Sequence, residues 1–213
     1  MVKVKEVILL GSGGHCHSCI DVIETTKNLC VLGVCVAPKT DFEIDHKILG
    51  YPILGNDLDL PKLIRLDRFF HVAVGQIKSA MPRKKIFENL ENLGAQFTVI
   101  KSNNSHISPR STVGLGSIVM HGVKIGVNTV LGKNNIFNTG CSIDHDVIAG
   151  DHCHISTGAI VNGGVEIGNC VFIGSGAIVG QGVRIGSGAV ISAGSVILKD
   201  IEENAIIRGK FVQ

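Results

Sequence analysis

The second half of the chain repeats with a period of six residues. With 45% hydrophobic residues overall, one fixed register would be apolar throughout by chance roughly once in several hundred thousand sequences. The period therefore constrains the fold more than any other feature does. The apolar positions are Ile107, Val113, Val119, Ile125, Leu131, Phe137, Ile143, Ala149, Ile155, Val161, Ile167, Ile173, Val179, Ile185, Ile191 and Ile197.

Two more positions of each hexad are restricted. The residue after the apolar one is often glycine, and the residue four positions after it is small or β-branched, with Asn135 as the exception. A short strand that points its aliphatic residue inward and turns at a glycine fits this pattern. Three such sides close a coil of eighteen residues, so the segment predicts about five coils of a parallel β-helix. A sandwich would need alternation and hairpin turns that the segment lacks.

The first half follows a different rule, and the change in glycine usage falls near residue 104. Apolar runs at 6–10, 31–36 and 69–75 alternate with helical patterns at 19–28 and near 82–93, and a last run covers 96–100. This alternation predicts a small α/β unit with a parallel sheet. We expect a Rossmann-like domain at residues 1–103 and a β-helix domain at residues 104–213.

Charge and composition exclude several classes of protein. The 20 Lys and Arg residues nearly balance the 18 Asp and Glu residues and form no basic stripe, so we expect no nucleic-acid partner. The first residues lack the pattern of a signal peptide, and no apolar run approaches the length of a membrane span. The sequence therefore predicts a cytoplasmic protein without a membrane partner.

Seven cysteines, an odd number without framework spacing, predict reduced thiols that are mostly buried. The segment HCHSC at 15–19 offers four zinc ligands. A structural zinc site usually takes a second pair of ligands from elsewhere in the chain, and none is evident. We therefore expect no metal.

The unbroken hexads resemble the left-handed β-helix of the hexapeptide acyltransferases, and the hand is implied by this resemblance alone. The front half contains GSGGHC after the first strand, GYPILGND at 50–57 and the strand HVAVG. With these segments the chain resembles the bacterial sugar acetyltransferases, which include sialic acid O-acetyltransferases and N-acetyltransferases of UDP-linked 4-amino sugars. The resemblance covers nearly the whole chain. It implies a homotrimer, acetyl-CoA in a cleft between neighbouring β-helices, and a front domain that holds a sugar or sugar nucleotide.

The resemblance also implies roles for residues in the segment IDHDVIAGDHCHIS. Family members carry a histidine, then an acidic or polar residue, and a second histidine nine residues after the first. His145, Asp146 and His154 match this spacing. They are implied to be the general base, the group that orients it and a neighbour of the acetyl thioester. Asn138 and Gly163 match family positions around acetyl-CoA.

Acetyl transfer needs such a base. An amine is mostly ammonium at neutral pH, and histidine has a suitable pKa to take its proton. The oxyanion that forms needs a donor, either a backbone N–H at a coil corner or the second imidazole. No cysteine nucleophile is required, because holding the two substrates together removes much of the entropic barrier.

The front domain supplies candidate ligands for the sugar nucleotide. GSGGHC, between a strand and a helix, fits a cradle of backbone N–H groups for phosphate, although any tight turn of this kind favours glycine. Arg83, Lys84 and Lys85 are alternatively a solvated helix face. With the resemblance, the candidates are Gly11, Ser12, Gly13, Gly14, His15, Gly75 and Arg83.

The chain departs from its relatives in two places. Relatives that bind uridine nucleotides have an acidic pair after the second strand, where this chain has Val36 and Ala37. Recognition of UDP would then require other groups, such as Asp41, Glu43 or Asp45. The tail IIRGKFVQ replaces a GxPAK-like segment, so contacts to CoA made by that tail are not carried over.

The histidines also allow other interpretations. Gamma-class carbonic anhydrases bind zinc on the same β-helix, but ligands on one face should recur near multiples of eighteen, and His121 and His145 are twenty-four apart. His152 is expected to face solvent or a subunit contact. The sequence favours N-acetylation of a nucleotide-linked amino sugar, with O-acetylation of sialic or a related nonulosonic acid next. A non-catalytic trimer that binds a sugar nucleotide is the third possibility, and the retained histidine spacing argues against it.

Overall fold

The computed structural model describes residues 4–37, 46–76 and 79–209, and the backbone of 211–212. The first half is a parallel sheet packed against helices. Its elements are β1 (Lys5–Leu10), α1 (Gly14–Glu24), β2 (Leu29–Val36), β3 (Lys47–Ile48), β4 (Tyr51–Asn56), a 3-10 turn (Asp57–Asp59), α2 (Leu60–Leu63), β5 (Arg68–Val72), α3 (Met81–Asn92) and β6 (Gln96–Phe97).

The strand order of this sheet is β3-β4-β2-β1-β5-β6, and all pairs are parallel except β3 with β4. The predicted α/β alternation is confirmed, because the apolar runs form β1, β2 and β5. Two boundaries differ. Helix α1 begins at Gly14, so HCHSC is helical, and Ile100 leaves the sheet to start the β-helix.

The second half is the predicted left-handed β-helix, built from three parallel sheets that we call the first, second and third faces. The first face contains Ile100–Lys101, Ile118–Val119, Ile136–Phe137, His154–Ile155, Phe172–Ile173, Val190–Ile191 and Ile206–Ile207. The second face contains His106–Ile107, Lys124–Ile125, Ser142–Ile143, Ile160–Val161, Ile178–Val179, Val196–Ile197 and Phe211–Val212. The third face contains Thr112–Val113, Val130–Leu131, Ile148–Ala149, Glu166–Ile167 and Arg184–Ile185.

The hexad predicts the interior of the β-helix correctly. The apolar position is the second residue of each strand, and from Val119 onward it is buried in every coil. The small position is buried as well. Asn135, the exception in sequence, is accommodated because its amide donates to the carbonyls of Gly132 and Gly150 at 3.0 and 2.9 Å and its oxygen accepts from the Cys153 N–H at 2.6 Å.

The turn conformation at the corners is not adopted by the glycine directly after the apolar residue, where the sequence predicted it. The left-handed backbone occurs two residues later. Glycine fills that position at 116, 122, 140, 158, 164, 176, 182, 188 and 194. Asn128, Asn134, Asp146, His152 and Cys170 adopt the same left-handed conformation with φ between 49 and 61°.

The glycine directly after the apolar residue has a steric role instead. A Cβ on Gly168 would lie 2.6 Å from the backbone nitrogen of Ser187 in the next coil. Gly114, Gly126, Gly174 and Gly186 meet the next coil at similar distances. The coils therefore stack so closely at these corners that a side chain has no room.

A continuous apolar cluster joins the two halves. Ile20 and Ile23 of α1 belong to the same buried cluster as Ile100 and Ile118 of the first face. On the other side of the sheet, Phe87 of α3 lies so close to Gly116 that a Cβ there would be 2.4 Å from its ring. The division at residues 103 and 104 stays a prediction, and the first coil strand is Ile100–Lys101. No helix in the described ranges is long and apolar enough to cross a membrane.

The two kinds of corner glycine should respond differently to alanine. We expect Gly168→Ala to lower the free energy of unfolding by about 2 kcal/mol or more, because the new Cβ forces the coils apart. Gly182→Ala meets open space and strains only the backbone at φ 70°, so we expect a loss of about 1 kcal/mol. Chemical denaturation of both variants measures the difference, and equal losses would contradict the steric argument.

Candidate active site

A cleft of about 1150 Å³ lies between the end of the six-stranded sheet in the first half of the chain and the first face of the β-helix. The structure brings together most of the residues predicted to bind the two substrates. Ser156, Phe172, Ser175 and Gln76 also line the cleft and were not predicted. The predicted residues in its lining are Gly11, Ser12, Gly13, Gly14, His15, Gly75, Asn138 and His154.

The glycine loop forms the upper wall of the cleft. Gly11 has φ 115°, and a Cβ there would lie 2.9 Å from the Val74 side chain, so only glycine fits between β1 and β5. Helix α1 begins just beyond, with Gly13 as an N-cap that has no side-chain hydrogen bond. The first-turn N–H groups of a helix lack intrahelical partners and carry partial positive charge. This wall can therefore bind an anion such as a phosphate.

His154 projects from the first face into the cleft. Its Nδ1 lies 2.9 Å from the backbone oxygen of Gln76, and its Nε2 lies 3.4 Å from the amide nitrogen of Asn138. Burial lowers the pKa of His154 to about 3, so the ring is neutral at pH 7. A carbonyl only accepts, so Nδ1 carries the proton and Nε2 is an acceptor. His154 therefore offers a lone pair to the cleft.

Arg83 is fully buried and connects α3 to the β-helix. Its guanidinium donates to the backbone oxygens of Asn134 and His152, the latter at 2.6 Å, and to the side-chain oxygen of Gln76 at 2.8 Å. The same Gln76 holds His154 through its backbone oxygen. Arg83, Gln76 and His154 thus form one chain of contacts from α3 to the cleft.

Arg83 is not in the lining of the cleft, so its predicted contact with the sugar gains no support there, and its burial excludes the alternative of a solvated helix face at that residue. The guanidinium uses its donors on carbonyl groups inside the protein and does not line the cleft. Helical periodicity could have suggested this, because Arg83 lies one turn from the buried Phe87. Lys85, on the outer side of α3, is exposed.

His152 also differs from expectation. It was predicted to face solvent or another subunit, but it is 8% exposed. Its Nδ1 lies 2.9 Å from the side-chain nitrogen of Asn134, and its ring packs against Phe87. Burial is the main cause that lowers its pKa. His152 belongs to the contact between α3 and the β-helix.

His145 and Asp146 lie at an exposed corner after the second face. The Nδ1 of His145 is 2.8 Å from a carboxylate oxygen of Asp146, whose other oxygen accepts from the Asn128 amide at 2.5 Å. The hydrogen bond to Asp146, aided by the charge of Asp144, raises the pKa of His145. The hydrogen bonds from Asn128 and His145 lower the pKa of Asp146. The pair has the arrangement of an oriented base with Nε2 open to solvent.

Gly163 lies one coil away at the same corner. A Cβ on Gly163 would be 2.5 Å from Cε1 and 2.7 Å from Nε2 of His145. The glycine therefore leaves the space in which the imidazole sits.

The two predicted histidines are on different sides of the β-helix. Nine residues are half of an eighteen-residue coil, so His154 lies on the first face while His145 follows the second. His145, Asp146 and Gly163 do not line the cleft that contains His154 and Asn138. The predicted site residues therefore form two separate groups on one chain. His121, the remaining candidate for a zinc site like that of carbonic anhydrases, is bound by Asp21 and Ser102 at 2.8 and 2.6 Å.

Comparisons with known proteins agree with this architecture. The PglD N-terminal domain family matches residues 6–90, and the family of bacterial transferase hexapeptides with six repeats matches residues 164–199. A search of curated proteins found no match.

Three solved structures cover nearly the whole chain at 28% identity. The acetyltransferase domain of PglB from Neisseria gonorrhoeae FA1090 matches with a TM-score of 0.86 over 96% of this chain and 97% of that one. The same domain in complex with acetyl coenzyme A gives 0.85 over 97% of each chain. A histidine variant of perosamine N-acetyltransferase from Caulobacter crescentus, in complex with CoA and GDP-perosamine, gives 0.87 over 98% and 96%. The chain therefore joins a PglD N-terminal domain to hexapeptide repeats, and it is an acetyltransferase similar over nearly its whole length to the PglB domain and to perosamine N-acetyltransferase.

Proposed function

We propose that this acetyltransferase moves the acetyl group of acetyl-CoA to the amino group of a nucleotide-linked amino sugar. The observation that carries the proposal is the hydrogen-bonded pair of His145 and Asp146, which presents an unhindered imidazole Nε2 at a corner of the β-helix. The relatives support the choice of substrates. One is bound to acetyl coenzyme A, and another, an N-acetyltransferase, is bound to CoA and GDP-perosamine.

His145 acts as the general base. Asp146 accepts a hydrogen bond from Nδ1, which leaves the lone pair of Nε2 to receive the proton of the attacking amine. Asn128 holds the second oxygen of Asp146 and so fixes the carboxylate. As the amine attacks the thioester carbonyl, its proton passes to Nε2 and the thiolate of CoA departs.

The developing oxyanion needs a donor, and the second imidazole does not supply it. His154 carries its proton on Nδ1 and points an acceptor into the cleft, so it suits an N–H or O–H group of the co-substrate. The Gly163 N–H is the better candidate. It makes no hydrogen bond within the described residues and lies beside the His145 ring.

The sugar nucleotide is assigned to the glycine loop. The N–H groups of Ser12, Gly13 and Gly14 together with the first turn of α1 fit a diphosphate. The residues that bind the nucleobase are not assigned. Val36 ends β2 and Ala37 follows it, so neither position offers a carboxylate, and the alternatives Asp41, Glu43 and Asp45 lie outside the described residues. A relative that binds a GDP-linked sugar makes guanosine nucleotides candidates beside uridine ones.

Two copies must meet to make one complete site. Since His145 and the cleft lie on different sides of one β-helix, we assign the base to one subunit and the cleft to its neighbour, in the homotrimer that the family resemblance implies. The exposed Ile148 and Ile160 flank the His145 corner and supply apolar surface for such packing.

The direct test is release of free CoA from acetyl-CoA with a panel of acceptors. The panel contains UDP-linked 4-amino and 3-amino sugars, GDP-linked 4-amino sugars and free sialic acid. We expect turnover with one nucleotide-linked amino sugar and a loss of about 10²- to 10⁴-fold in His145→Ala, the usual contribution of a general base. His106→Ala, an exposed histidine on the same face, is the control.

Release with free sialic acid alone would move the protein to the O-acetyltransferases. No release with any acceptor would favour the non-catalytic binding protein.

The pH dependence of kcat/KM should follow the ionisation of His145 in its hydrogen-bonded pair with Asp146. The base works only when neutral, so the rate rises with pH through the pKa of His145, which Asp146 raises. We expect Asp146→Asn to shift this limb to lower pH, because the carboxylate no longer stabilises the imidazolium, and to lower the plateau roughly 10-fold or more through lost orientation. An unchanged limb position would show that another group titrates.

Mixed subunits test the division of the site. His145→Ala and His154→Ala should each be nearly inactive alone. After the two variants are unfolded together and reassembled, about a quarter of the sites should contain both histidines if subunits mix at random. Recovery of about that share of activity is the expected result. No recovery in assemblies that contain both variants would place the two histidines in one subunit's site.

A further inference from the structure

Three possible metal ligands lie together where the six-stranded sheet of the first half meets α1. His15 and Cys19 are one helical turn apart on α1, and His71 comes from β5. One ligand atom from each residue lies within 4.8 Å of those from the other two. The sequence pointed only to HCHSC and offered no distant ligand. The fold supplies that ligand as His71.

The group is buried and short of hydrogen-bond partners. His71 is 1% exposed, and neither of its ring nitrogens has a partner with ordinary geometry. The Nε2 of His15 is buried and unpaired as well. Buried polar atoms without partners are rare in native proteins and often mark a missing water or ion. Each imidazole places one nitrogen within 4.8 Å of the Cys19 sulfur, and both rings carry unpaired nitrogens, which indicates that something else occupies this space.

The three side chains supply the kinds of atom that bind transition-metal ions, namely two imidazole nitrogens and one cysteine sulfur. Arg83 adds positive charge nearby. The negative charge of a metal-bound thiolate would partly offset that charge.

We propose that His15, Cys19 and His71 form a binding site for one divalent transition-metal ion, with Zn²⁺ as the ion that the donors favour. Imidazole nitrogen and thiolate sulfur are both groups that bind zinc in proteins, and zinc does not impose a rigid geometry. On binding, the Cys19 proton passes to solvent and the sulfur forms a bond to the metal. His15 also lines the cleft, so the fourth position is available to water.

The ion would tie the start of α1 to β5. Both segments carry walls of the cleft, since Gly13, Gly14 and His15 lie on one and Gly75 follows the other. The acetyl transfer does not require the ion, because the base and its carboxylate stand at the His145 corner. The site is therefore a structural clamp, and its test does not depend on activity.

The test is zinc retention by the whole protein. Protein stripped with a chelator is given a small excess of Zn²⁺, separated from free ion by gel filtration and analysed for metal. We expect close to one zinc per chain and a melting temperature above that of the stripped protein. Cys19→Val should lose this zinc. Cys16→Val, at a neighbouring buried cysteine of the same helix, should keep it.

Absence of zinc from the wild-type protein would overturn the proposal. Equal retention in wild type and Cys19→Val would also overturn it, because that would show an adventitious ion on exposed side chains.

A second measurement stands even if Cys19→Val fails to fold. Co²⁺ bound by a thiolate gives an intense near-ultraviolet charge-transfer band, and we expect one equivalent of Co²⁺ to produce it in Cys30→Ser, which lacks the exposed cysteine. Cobalt binding without that band would exclude Cys19 and overturn the site.

Discussion

The close stacking of successive coils is the constraint on which the rest of the structure depends. Each strand contributes only two residues, so the backbone ladder between coils must continue without interruption around every corner. At the corner the chain passes so near the next coil that position 168 has no room for a Cβ. Two positions further on the backbone is left-handed. The repeat therefore leaves few places where a side chain can have a function.

Those places are the outward strand position and the corner itself. His154 uses the first and reaches the cleft. Asp146 uses the second and accepts a left-handed conformation that costs about 1 kcal/mol or more for a non-glycine residue. The arrangement gains the hydrogen bond to His145. His152 takes the same corner position in the next hexad and serves packing against α3 instead. The residue type at this corner position does not by itself distinguish a structural corner from the proposed catalytic corner. The side chains around that residue must also be known.

Much of the fold could be predicted because it is periodic. The hexad gave the inward residues, the three-sided coil and, with the family resemblance, the left hand. The lining of the cleft was predictable in part, since the sequence pointed to both the glycine loop and His154. Gln76, the role of Arg83 and the approach of His71 to HCHSC were not. These contacts join residues that are far apart in the chain, such as Gln76 and His154, and no local pattern encodes them. The steric demand for glycine at position 163 arises only in the folded chain, where the His145 ring one coil away fills the space of a Cβ.

The eighteen-residue coil also sets the unit in which such a chain can change length. Gly163 lies under His145 because one full turn separates them, and the same turn relates Asn128 to Asp146. Removing or adding a whole coil beyond these pairs returns every later residue to its own face. A change of six residues would rotate all that follows by one face, and a side chain that pointed into the cleft would then point elsewhere. Length variation between complete coils is therefore quantised. The last coil departs from that rule, because Ile206 pairs with Val190, only sixteen residues before it, and still returns to the first face.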